Sequence, residues 1–190
     1  MRILQTSILG LFLLISAIAT GQVVSARMYV SGGVVNFAFN SLQKYQSGIT
    51  YTDYTMFNII VKDANAVSTC QWRLYAKGLD TEFKGDNGVS TLDLALKQYL
   101  FLVATAAAGP GIVGGPATPT AGFFISDLDQ DLVTAGFPNC IGDINCVPAA
   151  NAWNTISISY QFGVANPIFD ENETPDTYFL DIEFTLEAVP

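Results

Sequence analysis

Apolar and polar side chains alternate with a period of two along five stretches of this 190-residue chain. Successive side chains of a strand point to opposite faces, so this alternation predicts antiparallel sheets with one buried face. No stretch has the pattern of a long amphipathic helix, and glycine and proline separate the runs. The sequence therefore predicts an all-β fold, an antiparallel β-sandwich of immunoglobulin-like or pilin-like type. The predicted inward positions are Val35, Phe37 and Phe39; Phe57, Ile59 and Val61; Cys70, Trp72, Leu74 and Ala76; Ile156, Ile158, Tyr160 and Phe162; and Tyr178, Leu180, Ile182, Phe184 and Leu186.

The beginning of the chain has the pattern of a signal peptide. Arg2 precedes an uncharged apolar run over residues 8–19, which is too short to span a bilayer. Small residues favour cleavage after Ala19, with Gly21 as the alternative. We expect residues 1–19 to be removed and residues 20–190 to form a single β-sandwich domain, secreted or held at the cell surface.

Residues 104–122 are a tract of Ala, Gly, Pro and Thr. This composition buries little surface and fixes few contacts, so we predict a loop between strands. A domain boundary there is the alternative, but the chain that follows is short for a second complete core.

Three cysteines, Cys70, Cys140 and Cys146, are expected to meet an oxidising compartment after export. Only five residues separate Cys140 from Cys146, so this pair is favoured as a disulfide. Cys70 is then predicted to be a buried inert thiol, with an intermolecular bridge as the alternative.

The charges exclude several classes of function. The chain has no histidine, which excludes Ser-His-Asp and Cys-His catalysis and His-ligated zinc. It has no phosphate-binding glycine motif, and its net charge of −9 disfavours nucleic acid. Paired-carboxylate chemistry is not excluded, but nothing favours it. We therefore predict a protein that is not an enzyme and has no cofactor other than calcium.

No positive side chain follows Lys97, although eleven carboxylates do. This asymmetry predicts that basic partners or divalent cations are attracted to the C-terminal half, with an affinity that falls as salt rises.

Asp127, Asp129 and Asp131 are spaced like the first ligands of a calcium loop. Leu132 stands where an EF-hand has glycine, and the glutamate at position twelve is missing. The alternative is a solvated turn before a strand, with Leu128 and Leu132 pointing inward. A second acidic group at residues 170–176 could join a cation site or form a solvated loop.

Tyr45, Tyr51 and Tyr54 precede the second predicted strand. Exposed aromatic rings stack on sugars, which predicts a carbohydrate site. The alternative is that these rings cover a sheet edge or pack under a loop.

Two terminal segments are predicted to be strands. Residues 22–30 are extended and partly apolar, and residues 177–187 alternate over eleven positions. Each is expected to pair within its own sandwich or with a neighbouring subunit.

Five segments follow one another in a recognisable order: Phe37–Ser41 with Tyr45–Gly48, Gln71–Gly78, Asp129–Gly136, Ile156–Phe162 and Pro175–Leu186. This order resembles a family of exported β-sandwich proteins of Gram-negative bacteria, similar to spore-coat-U and archaic-type pilus subunits. The resemblance implies an immunoglobulin-like or pilin-like sandwich without catalytic residues and a structural or adhesive role at the cell surface.

These features predict a non-enzymatic extracellular structural protein, a pilus-like or surface-fibre subunit or an adhesin component. It would associate with itself or with other surface proteins through strand edges. The alternative is a soluble secreted module that binds carbohydrate or calcium.

Overall fold

The computed structural model of the protein describes residues 24–39, 41–64, 71–86, 91–93, 98–108, 117–142, 153–168 and 178–189. These residues form thirteen strands and one short helix. The elements are β1 (Val24–Ser31), α1 (Leu42–Ser47), β2 (Ile49–Asp63), β3 (Gln71–Gly78), β4 (Glu82–Gly85), β5 (Thr91–Asp93), β6 (Leu100–Ala108), β7 (Thr118–Pro119), β8 (Phe123–Phe124), β9 (Gln130–Gly136), β10 (Cys140–Ile141), β11 (Asn154–Phe162), β12 (Tyr178–Phe179) and β13 (Ile182–Val189). The described part of the chain contains no helix of the length and apolarity that a membrane crossing requires.

Two antiparallel sheets form the body of the protein. Sheet A has the strand order β1-β2-β11-β6-β8, and β10 pairs in parallel with the end of β2. Sheet B has the order β13-β3-β9-β7, and a small third sheet has the order β12-β4-β5. The predicted all-β, antiparallel, sandwich-like fold is confirmed.

The hydrophobic core lies between the inward faces of sheets A and B. Phe57, Ile59 and Ile156 from sheet A are fully buried, as are Trp72 and Leu132 from sheet B. In a β-sandwich, alternate side chains from the inner faces of the two sheets usually interdigitate to form the core.

Across the two sheets, the rings of Phe57 and Phe184 lie 4.9 Å apart. The inward positions predicted by period two in β2, β3 and β11 are buried wherever their side chains are described.

Three predictions about elements are wrong. Residues 34–39 form no strand, although Val35, Phe37 and Phe39 still pack against the core. The predicted terminal strand is split, because Tyr178 pairs with Gly85 in the small sheet whereas Ile182 pairs with Gly78 in sheet B.

The third wrong prediction concerns the alanine-rich tract. Its first five residues, 104–108, continue β6, because β11 pairs with the backbone of β6 as far as Ala108. Small side chains do not prevent a strand when a neighbouring strand supplies the hydrogen bonds.

Candidate functional site

β1 forms an open edge of sheet A. Its eight residues pair antiparallel with β2 from Val24 opposite Asp63 to Ser31 opposite Met56. In the described part of the chain no strand pairs with the other side of β1. Unpaired edges of this kind can accept another strand. β1 lies within 8 Å of β13, the edge strand of sheet B.

Apolar side chains are exposed along this edge. Val30 lies opposite the buried Phe57, yet 52% of its surface is accessible. We define the β1 patch as the exposed residues Tyr29, Val30, Val34, Tyr54 and Met56. Successive side chains of a strand point to opposite faces, so Val30 lies on the face of the buried Phe57, whereas Tyr29 and Met56 lie on the other face of sheet A. Arg27 is the single charged residue of β1.

The other edges of the two large sheets are protected. β7 and β8 have two residues each, and β7 contains Pro119, which has no N–H to donate. β13 carries Glu183 and Glu187 on its outward face. Among the strands that the structure describes, β1 is therefore the long edge with the least protection, by the criteria that natural sheets follow.

Residues 32–38 pair with no described strand, and side chains bond to their carbonyl groups instead. Tyr51 Oη donates to the carbonyl oxygen of Asn36 at 2.9 Å, and Tyr54 Oη donates to that of Val34 at 2.8 Å. Thr55 Oγ1 donates to Gly32 O at 2.6 Å and Lys44 Nζ to Ala38 O at 3.2 Å. Every second carbonyl group of residues 32–38 thus accepts a hydrogen bond from a side chain of β2 or α1.

The three tyrosines of the predicted carbohydrate site pack against this segment. Tyr51 lies 5.2 Å from Phe37, and Tyr45 lies 5.4 Å from Phe39, measured between ring centroids. This arrangement agrees with the alternative that the rings cover a sheet edge. The ring of Tyr54 remains part of the exposed β1 patch.

Asp129 and Asp131, two of the predicted calcium ligands, form ion pairs on the outward face of sheet B. Lys77 Nζ lies 3.5 Å from Asp129 and 3.6 Å from Glu183. Arg73 lies 3.6 Å from both Asp131 and Glu187. β3 lies between β9 and β13, so each of its cations is flanked by carboxylates from both neighbours.

These neighbours affect the protonation of Lys77. The charge of Asp129, followed by that of Glu183, raises the pKa of Lys77 above 10.5. Four acids of the C-terminal half, Asp129, Asp131, Glu183 and Glu187, therefore pair with cations of the N-terminal half. The sequence asymmetry alone did not reveal these pairs.

Asp127 lies in the exposed turn before β9 and does not converge with the other two aspartates on a described metal site. Within the described residues, no group of three or more acidic, cysteine or histidine side chains could hold a metal ion. The alternative interpretation is correct for Leu132, which is buried, and wrong for Leu128, which is 70% exposed.

The predicted disulfide falls outside the described residues. Cys70 and Cys146 are not described. Cys140 begins β10, where its backbone pairs with that of Lys62. The acidic group at residues 170–176 also lies outside the described residues.

A cluster of oxygen atoms on the outward face of sheet A was missed by the sequence analysis. Ser157 Oγ donates to Asp53 Oδ1 at 2.6 Å, and Thr105 Oγ1 donates to the same oxygen at 3.2 Å. The two hydroxyl oxygens are 2.6 Å apart, and Asp53 N donates to Ser159 Oγ at 3.0 Å. The outward Ser157-x-Ser159 pair was the available signal, but the sequence could not show which acid lies beside it.

Comparisons with known proteins assign no family to this chain. No protein-family model matches it, and no curated protein matches it. A family 123 glycoside hydrolase from Clostridium perfringens, described for glycolipid glycan hydrolysis, is similar over 86% of this chain and 25% of its own. The sequence identity is 12% and the TM-score 0.27. The chain thus spans about a quarter of the length of that enzyme.

The prediction that this protein is not an enzyme is contradicted by that similarity. We therefore withdraw it. A TM-score of 0.27 is too low to transfer the fold or the activity of that enzyme to this chain.

Proposed function

We propose that this protein is an extracellular structural protein, a pilus-like or surface-fibre subunit or an adhesin component, and that it associates with copies of itself through β1. The observation that carries the proposal is the open edge of β1, eight residues long, with a single charge and with exposed apolar side chains on both faces of the sheet.

Backbone groups at an open edge bind an added strand with the hydrogen bonds of a sheet. At β1 those bonds would form beside Val30 and Tyr29, whose exposed apolar surface would be buried by the same event. An added strand would thus gain both hydrogen bonds and apolar burial at one place on the molecule.

The net charge of the surface gives association between like copies a defined salt response. Two copies of a chain with a net charge of −9 repel each other, and salt screens this repulsion. Association of like copies through β1 should therefore strengthen as salt rises. A basic partner would show the opposite dependence.

Export to the cell surface is part of the same proposal. Its support is the apolar run over residues 8–19 and the resemblance to spore-coat-U and archaic-type pilus subunits. The Cys140–Cys146 disulfide is proposed with it, and peptide mapping under non-reducing conditions would test this pairing.

The proposal is tested by sedimentation velocity of the mature protein across a range of concentrations at low and high salt. Val30→Lys places a charge at the open edge and should abolish association. Leu128→Lys is the matched control, because it introduces the same charge at an exposed apolar position away from β1. Electron microscopy then distinguishes a fibre from a closed oligomer.

A wild-type protein that stays monomeric under all of these conditions contradicts the proposal. Equal loss of association in both variants would show that β1 is not the surface through which copies associate.

A further inference from the structure

The hydrogen bonds of β2 show which backbone groups of β1 face the open edge. Val61 N donates to Asn139 Oδ1 at 2.7 Å, and Asn139 N donates to Val61 O at 2.6 Å. Asn139 precedes β10, which lies on the side of β2 away from β1. The N–H and C=O groups of successive residues in a strand point to alternate sides. The even-numbered residues from Met56 to Lys62 therefore bond to β1.

The residues of β1 that face them are the odd-numbered ones, from Ser25 opposite Lys62 to Ser31 opposite Met56. The other four residues of β1 therefore turn their N–H and C=O groups to the open edge. They are Val24, Ala26, Met28 and Val30.

This alternation restricts how β1 can pair with β1 of a second copy. A two-fold axis perpendicular to sheet A sets the two strands antiparallel and keeps the inner faces of both copies on one side. Hydrogen bonds across the edge then require even-numbered residues opposite even-numbered ones. Complete overlap is excluded, because Val24 would face Ser31. Two registers that pair seven residues remain, one centred on Arg27 and one centred on Met28.

The charge of Arg27 selects between these registers. In the register centred on Arg27, this cation would face its own copy across the edge, and like charges directly opposite are destabilising. In the register centred on Met28, Arg27 faces Tyr29 of the second copy, and a cation is attracted to an aromatic ring. Arg27 and Tyr29 are both exposed on the outward face of sheet A. The two-fold axis forms this contact twice.

The neighbours of these residues fit the same register. The ring of Trp153, which precedes β11, lies 5.3 Å from that of Tyr29 and supports it from the side away from the open edge. On the inner face, the small Ala26 would face the exposed Val30 of the second copy. On the outer face, Ser25 would face Ser31, and such hydroxyl pairs stabilise adjacent strands.

We propose that β1 pairs antiparallel with β1 of a second copy about a two-fold axis at Met28, so that the two A sheets become one continuous sheet. This inference rests on the proposed association through β1 and names its partner strand, register and stoichiometry. Because both copies use the same edge, the contact closes at two copies. A fibre would then consist of these dimers, joined through another surface.

Disulfide crosslinking of the mature protein tests the register. In the proposed pairing the two Cα atoms of residue 28 are about 5.5 Å apart, within the range of a disulfide. In the register centred on Arg27 they are roughly 8 Å apart, which is too far. Met28→Cys should therefore give a covalent dimer under mild oxidation, and peptide mapping should find the link between the two copies of residue 28.

Ser31→Cys is the matched control, because it places an exposed thiol on the same strand but far from its own copy across the axis. It should give no link at residue 31. The wild-type protein, treated identically, accounts for bridges through the native cysteines. Melting curves confirm that each variant is folded.

Arg27→Gln tests the choice of register by the sign of its effect. In the proposed register it removes two cation–π contacts and should weaken the dimer roughly tenfold. In the register centred on Arg27 it would remove a repulsion and strengthen the dimer. Lys84→Gln is the control, because it changes the net charge equally at an exposed lysine away from β1.

Sedimentation separates the two levels of the proposal. A wild-type protein that never associates contradicts the proposed function and this inference together. A protein that associates through β1 but does not link at Met28→Cys, links equally at Ser31→Cys, or dimerises more tightly as Arg27→Gln overturns this inference alone. So does association through β1 that continues beyond two copies when Val30→Lys abolishes every step.

Discussion

Replacing Gly136, the last residue of β9, by alanine should destabilise the protein strongly for a change of one methyl group. Gly136 lies opposite Trp72 of β3. A Cβ atom at this position would overlap Cε2 and Cζ2 of the indole ring and would lie 2.5 Å from Cδ2. Carbon atoms in contact are about 3.5–4.0 Å apart, so even the most distant of these three atoms is about 1 Å too close.

The indole ring cannot move away freely. Trp72 is fully buried, and its Nε1 donates to the carbonyl oxygen of Phe137 at 3.0 Å. Overpacking of a core costs about 1–3 kcal/mol, and loss of that hydrogen bond costs about 1 kcal/mol more. We therefore expect the free energy of unfolding to fall by about 2–4 kcal/mol, which lowers the Tm of a domain of this size by roughly 5–15 °C.

Calorimetry and urea unfolding of the monomeric protein measure this effect. Gly33→Ala is the control, because no atom lies within 4 Å of its new Cβ, and its effect should stay within about 0.5 kcal/mol. In a Trp72→Phe background, which lacks the indole atoms Cε2 and Cζ2, the cost of the Gly136→Ala substitution should shrink. If Gly136→Ala is as stable as Gly33→Ala, the packing of β3 against β9 described above is wrong.

Three further predictions follow from side chains of the two large sheets. Thr55→Val should lower the free energy of unfolding by about 2–3 kcal/mol, because it leaves Gly32 O and the buried Tyr160 hydroxyl without their partner. Tyr160→Phe should lower it by only about 1 kcal/mol. Urea unfolding gives both values, and equal costs would contradict the shared role of Thr55. Burial raises the pKa of Tyr160 above its usual value of 10.0 despite the hydrogen bond with Thr55, so the folded state keeps this proton longer than the unfolded state. Stability should therefore fall as pH rises through the interval above 10. Ultraviolet titration should show a late-ionising component that Tyr160→Phe removes, and a component that survives this substitution would contradict the assignment. The carboxylates of Asp129 and Glu183 raise the pKa of Lys77 above its usual value of 10.5. The contribution of Lys77 to stability is therefore complete below pH 10.5 and is lost as pH rises through the folded-state pKa. Lys77→Met should remove this part of the pH profile of Tm, and an unchanged profile would contradict the two ion pairs.

The sequence predicted the fold where each strand has its own period-two signal. The alternation of Phe57, Ile59 and Val61 correctly identified the buried face of β2. Residues 34–39 have the same signal and the expected alternation of burial, but they form no strand. Alternation reports which side chains face the core, whereas a strand also requires a partner, and here Tyr51 and Tyr54 occupy the place of one.

The sites depended on pairings that the sequence does not contain. The D-x-D-x-D spacing is visible in one dimension, but the ion pairs of Asp129 and Asp131 arise because β3 lies between β9 and β13. Asp53 and Ser157 are 104 positions apart, and only the register of β2 with β11 brings them together. The soluble carbohydrate- or calcium-binding module stays a prediction. Of its proposed residues, Asp129 and Asp131 pair with cations of β3, and the three tyrosines contact the segment between β1 and α1.

The open edge of β1 can be examined directly by hydrogen exchange of its backbone amides. The mature protein is compared at a concentration where it sediments as a monomer and at one where it is associated. If copies pair through β1, the amides of Val24–Ser31 that do not bond to β2 should exchange more slowly in the associated state, whereas the amides of β13 and β9 should change little. If the protein associates while every amide of β1 exchanges at its monomer rate, the proposed pairing through this edge is wrong.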